Sequence, residues 1–247
     1  ERACSAEDGQ TIWANGTRGH YHRGPWTGPR KGERAVASES MRCELVTWAA
    51  VYSRCRRLVR KIRESGFAPD LIVGIGRGGY IPARVISDFL GIMDLASFKI
   101  EHYHAAQRDV SAMVKYPLAA DVEARHVLLV DDVTDSGDTF DVAIAHLSER
   151  GTPSTIHTAV LDHKVSSSYT PDYFGRKVIK WRWIIYPWAV IEDLSGFVAS
   201  MHTPSSNIET IRKRLADEHG IRVPRATLDD LITSMHAQAQ LSGTCAS

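Results

Sequence analysis

Two groups of residues in this 247-residue chain have types and spacings that could hold an anion and work on it. The first is the run 127–139, Val-Leu-Leu-Val-Asp-Asp-Val-Thr-Asp-Ser-Gly-Asp-Thr. Adjacent carboxylates at Asp131 and Asp132 can accept hydrogen bonds from vicinal hydroxyls. The small-residue turn after them, with Asp135, Ser136, Gly137 and Thr139, can turn main-chain N–H groups and a helix N-terminus toward a phosphate. A sugar phosphate is the ligand class that this order of groups suits. The second group is Gly76-Arg77-Gly78-Gly79, where glycines let main-chain N–H groups approach an anion and a guanidinium can chelate it. Taken singly, each group reads as an ordinary surface turn. Taken together they predict a site.

Both turns need rigid elements on either side. Residues 127–130 read as a strand buried on both faces and 140–149 as the helix that follows. Residues 70–75 and 81–90 repeat that order around the glycine-rich turn, and further strands are expected over 95–102 and 154–161. Strand-turn-helix units in succession predict an α/β fold, a parallel sheet flanked by helices with ligands at the strands' carboxyl ends. A helix is expected from Glu44, with Leu45, Trp48, Tyr52, Cys55, Val59 and Ile62 as its apolar stripe and Gly66 as its stop. Arg54, Arg57 and Lys61 then fall on its other faces, a basic surface that is solvated or steers polyphosphates. Residues 103–122 are weakly patterned and include Gln107, Arg108, Lys115 and Tyr116. A polar stretch over 165–180 leads to Trp181-Arg182-Trp183-Ile184-Ile185-Tyr186-Pro187-Trp188, an aromatic cluster of the kind that builds cores.

Ser206 or Asn207 can cap a helix over 208–219 that Gly220 closes, and Thr227 a second over 228–240. Such a pair packs on its own domain or reads DNA as a helix-turn-helix. Acidic Glu209, Asp217, Glu218, Asp229 and Asp230 offset its basic residues, which favours packing. Residues 1–40 are rich in Gly, Arg, His and Ser without periodicity and read as a flexible extension. The expected division is therefore 1–40, a main domain over 41–200 and a helical appendage over 201–247.

The run Leu-Leu-Val-Asp-Asp-Val-Thr-Asp-Ser-Gly-Asp-Thr resembles the phosphoribosyl-pyrophosphate (PRPP) signature of type I phosphoribosyltransferases. The spacing of Asp131-Asp132 and Asp135 is similar to its 6-oxopurine form. The resemblance extends over about residues 46–193 and includes Val46-Thr47-Trp48, the glycine-arginine loop, Lys164 and the Trp183-Ile184-x-x-Pro187-Trp188 segment. It is nearest the xanthine-guanine and archaeal-type hypoxanthine enzymes. It implies Mg²⁺-dependent transfer of phosphoribosyl from PRPP to N9 of hypoxanthine, guanine or xanthine, with release of pyrophosphate. Asp131 and Asp132 would hold the ribose hydroxyls and the metal, and Val133 with Thr134 to Thr139 would cradle the 5′-phosphate. Gly76, Arg77, Gly78, Gly79 and Arg108 would take pyrophosphate, with a cis peptide at Gly76–Arg77 and a mobile lid over 103–122. Asp135 would act at purine N7 as general acid/base and Lys164 would face the exocyclic oxygen. Trp183 would stack on the base within a small hood, and the Ile184 backbone would read its edge. Two positions depart from the family pattern: Ala189 replaces an acidic residue after the second Trp, and Asp138 adds a negative charge to the phosphate turn. The family forms oligomers, so a homodimer or homotetramer is expected. The alternative is a phosphoribosyltransferase-fold regulator that binds PRPP or nucleotide and contacts DNA or a partner through its C-terminal helices; Trp183 and Asp135 argue against it.

Composition agrees with a globular protein, 43% hydrophobic and 24% charged. The net charge of +1 gives no general electrostatic case for nucleic acid or membrane. No apolar run has the length of a membrane span. Cys4, Cys43, Cys55 and Cys245 have no framework spacing, and the first residues lack a secretory layout, so a reduced, cytoplasmic setting is expected.

Overall fold

A computed structural model describes residues 41–104, 110–201 and 207–243. The extension expected over 1–40, and Gln107, Arg108 and Ser206, lie outside the described residues.

The sheet has six strands in the order β4 (Val110–Tyr116), β3 (Leu95–His104), β2 (Leu71–Gly76), β5 (His126–Thr134), β6 (Thr155–Lys164) and β7 (Tyr173–Val178). All neighbours are parallel except β3 and β4. β2 and β5 adjoin at the centre, with Leu71 opposite Val127 and Gly74 opposite Val130. The chain leaves β2 toward β3 on one side and β5 toward β6 on the other. That reversal opens a crevice at their carboxyl ends, where the two turns singled out above meet.

Alternation along β5 builds a core on each face. Leu128 and Val130 pack with Ile62 of α1 (Trp48–Ser65) and Ile86 of α2 (Tyr80–Leu90). Val127 and Leu129 pack with Phe140 and Leu147 of α3 (Asp138–Arg150). Each such fully buried side chain contributes about 1.5–3 kcal/mol. The aspartates follow at the point where the strand runs out of core.

The first helix differs from its expectation in three respects. Glu44 is in β1 (Cys43–Leu45), which pairs in parallel with β8 (Trp183–Ile185), and the helix starts at Trp48, capped by the Thr47 side chain. A three-residue strand whose partner is 140 residues away leaves no local signal. The buried stripe is Val51, Cys55, Leu58, Val59 and Ile62, while Trp48 and Tyr52 are exposed. Arg54 is buried rather than solvated, because the Asp162 carboxylate faces it across the interior.

Two more strands appear in stretches that showed none in sequence. β4 extends the sheet beyond β3, and β7 lies within the polar stretch 165–180. The C-terminal helices α5 (Ile208–His219) and α6 (Arg225–Gly243) pack with α4 (Val190–Ser200) and the hood. Their core joins Ile185, Leu194, Phe197, Ile211, Leu215, Leu228 and Leu231. Asn207 caps α5 through the N–H groups of Glu209 and Thr210, and Gly220 closes it at φ 72°. α6 begins at Arg225, ahead of the expected cap. No helix among the described residues is long and apolar enough to cross a membrane.

Candidate active site

The acidic pair ends β5. The Asp131 carboxylate accepts the main-chain N–H of Asp132 at 2.9 Å. Burial, and then the charge of Asp132, push the Asp131 carboxyl well above the usual carboxylate range. Burial likewise raises Asp132, against the pull of a hydrogen bond from the Trp188 indole. Gly78 sits so close to Asp132 that any Cβ there would strike its carboxylate. The Gly76–Arg77 peptide is cis. Arg77 pairs with Glu192 in the first turn of α4.

A cavity of about 310 Å³ lies between the turns, lined by Gly76, Arg77, Gly78 and the run from Asp131 to Gly137, with Thr139. Gly137 takes φ 113°, a left-handed conformation that opens the turn ahead of α3. Ser168, in the loop after β6, holds that turn by donating its N–H and Oγ–H to the Ser136 carbonyl at 2.8 and 2.7 Å. Asp138 is exposed and does not line the cavity, so its charge points away from the turn. Ile100, His102 and Phe140 also line the cavity, and His102 Nε2 is 3.2 Å from Thr139 Oγ1. Sequence reasoning missed His102. Its position near the carboxyl end of the strand beside β2 was the available signal.

At the other end of the turn, Lys164 from the end of β6 lies 2.5 Å from Asp135 Oδ2. The second Asp135 oxygen accepts the Trp181 indole N–H at 3.1 Å. The Lys164 ammonium also stands 4.5 Å from the centre of the Trp181 ring. Trp183 is held differently. Its main-chain N–H goes to the Arg42 carbonyl at 2.9 Å, and its indole hydrogen-bonds Asp193. Burial, and then the charge of Asp132, push the Asp193 carboxyl up to about 6 despite that bond. Ile184 is buried beside Trp183. The hydrogen bonds thus join Asp135, Lys164 and Trp181, and separately Trp183 and Asp193. Ala189 is the N-cap residue of α4, and carboxylates stand close by at Glu192 and Asp193.

Beneath the pair runs a buried polar network. Asp162, fully buried, accepts from Arg54 at 2.5 Å, Arg176 at 2.5 Å and the Tyr186 hydroxyl at 2.7 Å. That hydroxyl is also 3.0 Å from the Asp132 carbonyl oxygen. The Tyr186 ring stacks on Trp188 at 4.8 Å between centroids, so the hood and the acidic pair share one support.

A family model described as the phosphoribosyl transferase domain matches residues 42–192. A xanthine-guanine phosphoribosyltransferase from Cereibacter sphaeroides is 29% identical over 149 residues, 58% of this chain and 84% of its own length. The crystal structure of a purine phosphoribosyltransferase from Pyrococcus horikoshii is 32% identical, with a TM-score of 0.53, and covers 59% of this chain and 93% of its own. A protein of Neisseria gonorrhoeae crystallised with bound ppGpp is 28% identical, with a TM-score of 0.52, over 60% of this chain and 89% of its own.

Proposed function

This chain belongs to the phosphoribosyl transferase domain family, and from that premise we propose that it is a purine-salvage enzyme moving the 5-phosphoribosyl group of PRPP to N9 of a 6-oxopurine, hypoxanthine, guanine or xanthine, with release of pyrophosphate. One observation carries the reading: the Asp135–Lys164 pair stands at the end of the same turn that, with the acidic pair and the glycine loop, lines the cavity. The purine and xanthine-guanine enzymes named above support the enzyme class.

Charge develops at the ribose C1 as pyrophosphate departs, so catalysis is mostly positioning and electrostatic stabilisation. Asp131 and Asp132 accept the ribose hydroxyls. The N–H groups of the turn from Asp135 to Thr139, at the start of α3, meet the 5′-phosphate. Arg77, turned from Glu192, neutralises the pyrophosphate together with Arg108, which lies outside the described residues. Asp135 holds the proton at purine N7, and Lys164 donates to the 6-oxo group. Asp131 and Asp132, each raised by burial among other carboxylates, also suit a divalent cation arriving with PRPP. Mg²⁺ bound there would supply neutralisation of the diphosphate.

The same reading carries a cytoplasmic homodimer or homotetramer. Cys43 and Cys55 are free thiols, which suits a reducing compartment. The test is pyrophosphate release from PRPP and Mg²⁺ with guanine, xanthine, hypoxanthine, adenine and orotate offered separately. Turnover on a 6-oxopurine is expected. Turnover on none, with PRPP still bound, overturns the enzyme and favours a ligand-binding regulator.

A further inference from the structure

Trp181 belongs to none of the family motifs, yet both of its polar contacts fall on the two residues assigned to the base. Its indole N–H donates to Asp135 Oδ1 at 3.1 Å, and its ring lies against the Lys164 ammonium, 4.5 Å from centroid to Nζ. The other Asp135 oxygen takes Lys164 itself at 2.5 Å. Indole and purine share the outline of a fused five- and six-membered ring. Each can present one N–H from the five-membered ring to a carboxylate. The residue that would receive purine N7 is thus already bonded to a bicyclic N–H of this chain.

Its setting favours movement. Trp181 is 46% exposed, an unusual place for so large an aromatic surface. It lies in the link between β7 and β8, outside the strand pairing. Trp183, two residues on, is fixed at its backbone by Arg42 and at its indole by Asp193. One tryptophan is anchored and the other can swing.

We infer that Trp181 is a self-supplied occupant of the base subsite, and that a purine binds only after displacing its indole from Asp135 and Lys164. The inference rests on the proposed function. It also makes Trp181 a specificity-determining residue. Displacement costs a hydrogen bond at Asp135 and a cation–π contact at Lys164. A base with an N–H donor and a 6-oxo acceptor replaces both. A 6-amino base offers the ammonium no acceptor of its own and leaves it only the Asp135 carboxylate.

Steady-state kinetics of the full chain, Trp181→Phe and Trp181→Ala test this. Phe keeps a ring over Lys164 and removes the N–H; Ala removes both. The purine KM should fall about three- to tenfold in each, as expected when the competent state is a minority of roughly one third to one tenth. The KM for PRPP should stay within about twofold of wild type, since Trp181 meets the phosphate turn only at the Asp135 side chain, whereas the turn faces the phosphate through its main-chain N–H groups. Fluorine NMR of 5-fluorotryptophan-labelled protein gives a second readout. The Trp181 resonance, identified by its loss in Trp181→Phe, should shift in ligand-free Asp135→Asn and again when GMP is added. A purine KM that is unchanged or raised in Trp181→Phe, with wild type active, overturns the inference alone. A resonance indifferent to Asp135→Asn does the same. A wild type that turns over no base overturns the proposed function and this inference with it, and is read without any variant.

Discussion

Lys164 Nζ and Asp135 Oδ2 are 2.5 Å apart although 29 positions separate the residues, because β5 and β6 run parallel and end side by side. The pair is lopsided: the Lys164 side chain is 3% exposed and that of Asp135 43%. One partner is sealed into the sheet and the other faces the cavity.

Asp135→Asn keeps the shape of the turn and removes the carboxylate. On the proposed function, loss of this acid/base group should lower kcat by about 10²- to 10⁴-fold. Water reaches this side chain, so urea unfolding should register a loss of only about 1 kcal/mol. A kcat within tenfold of wild type would remove Asp135 from the chemistry.

Arg54→Met should act through the fold. It strips one of two guanidinium partners from Asp162, which is fully buried. A broken buried pair costs about 3–5 kcal/mol, and the urea midpoint should fall accordingly. If the midpoint holds, Arg176 and the Tyr186 hydroxyl suffice for Asp162.

Arg54 also shows where sequence stops being legible. On its helix it is one of many basic residues, and nothing nearby distinguishes it from exposed Arg56 or Arg60. Its burial is decided by Asp162, 108 positions away. β1 and β8 were invisible for the same reason, each being three residues long with a distant partner. By contrast, the acidic pair, the glycine loop, α2 and the Asn207 cap have their causes within a few residues, and the place in the chain order that the sequence reading assigned to each, at a strand end or a helix start, agrees with the structure. The base end fell between. The structure brings together Lys164 and Asp135, two residues singled out from the resemblance, whereas the bond from Trp181 depends on a link whose path no motif encodes.

Gly137→Ala should perturb the phosphate turn in two ways that a control separates. At φ 113° a side chain is strained, and its Cβ would lie 2.6 Å from Ser168 Oγ and 2.8 Å from the Tyr169 N. Gly66 has φ 77° with nothing within 4 Å, so Gly66→Ala isolates the backbone effect. Gly66→Ala should cost about 1 kcal/mol and Gly137→Ala about 1–3 kcal/mol, the latter with a raised KM for PRPP. Equal losses and an unchanged KM would mean that Ser168 simply yields.

Asp193 should make stability depend on pH. Its carboxyl is raised to about 6 by burial and then by Asp132. Between its ordinary value near 4 and that raised value, the folded chain keeps a proton that the unfolded chain has released. The stability from this group is full below pH 4, falls as pH climbs to 6, and is level above. Asp193→Asn holds the site neutral, so its advantage over wild type should grow from nothing at pH 4 to roughly 1–3 kcal/mol at pH 7. Unfolding curves of both proteins across that range decide it; a constant difference would mean that Asp193 titrates normally.

Successive residues of β8 belong to different interiors. Ile184 packs with Leu128 and Val130 under the sheet, and Ile185 packs with Leu215 and Leu228 of the terminal helices. A strand gripped on both sides behaves as a rivet, unable to tilt without loosening two bodies at once. On the proposed function, accommodation of differently shaped bases then falls to the side chains flanking it. A substitution as remote as Leu231 can reach the mouth of the site by changing how firmly that rivet is set.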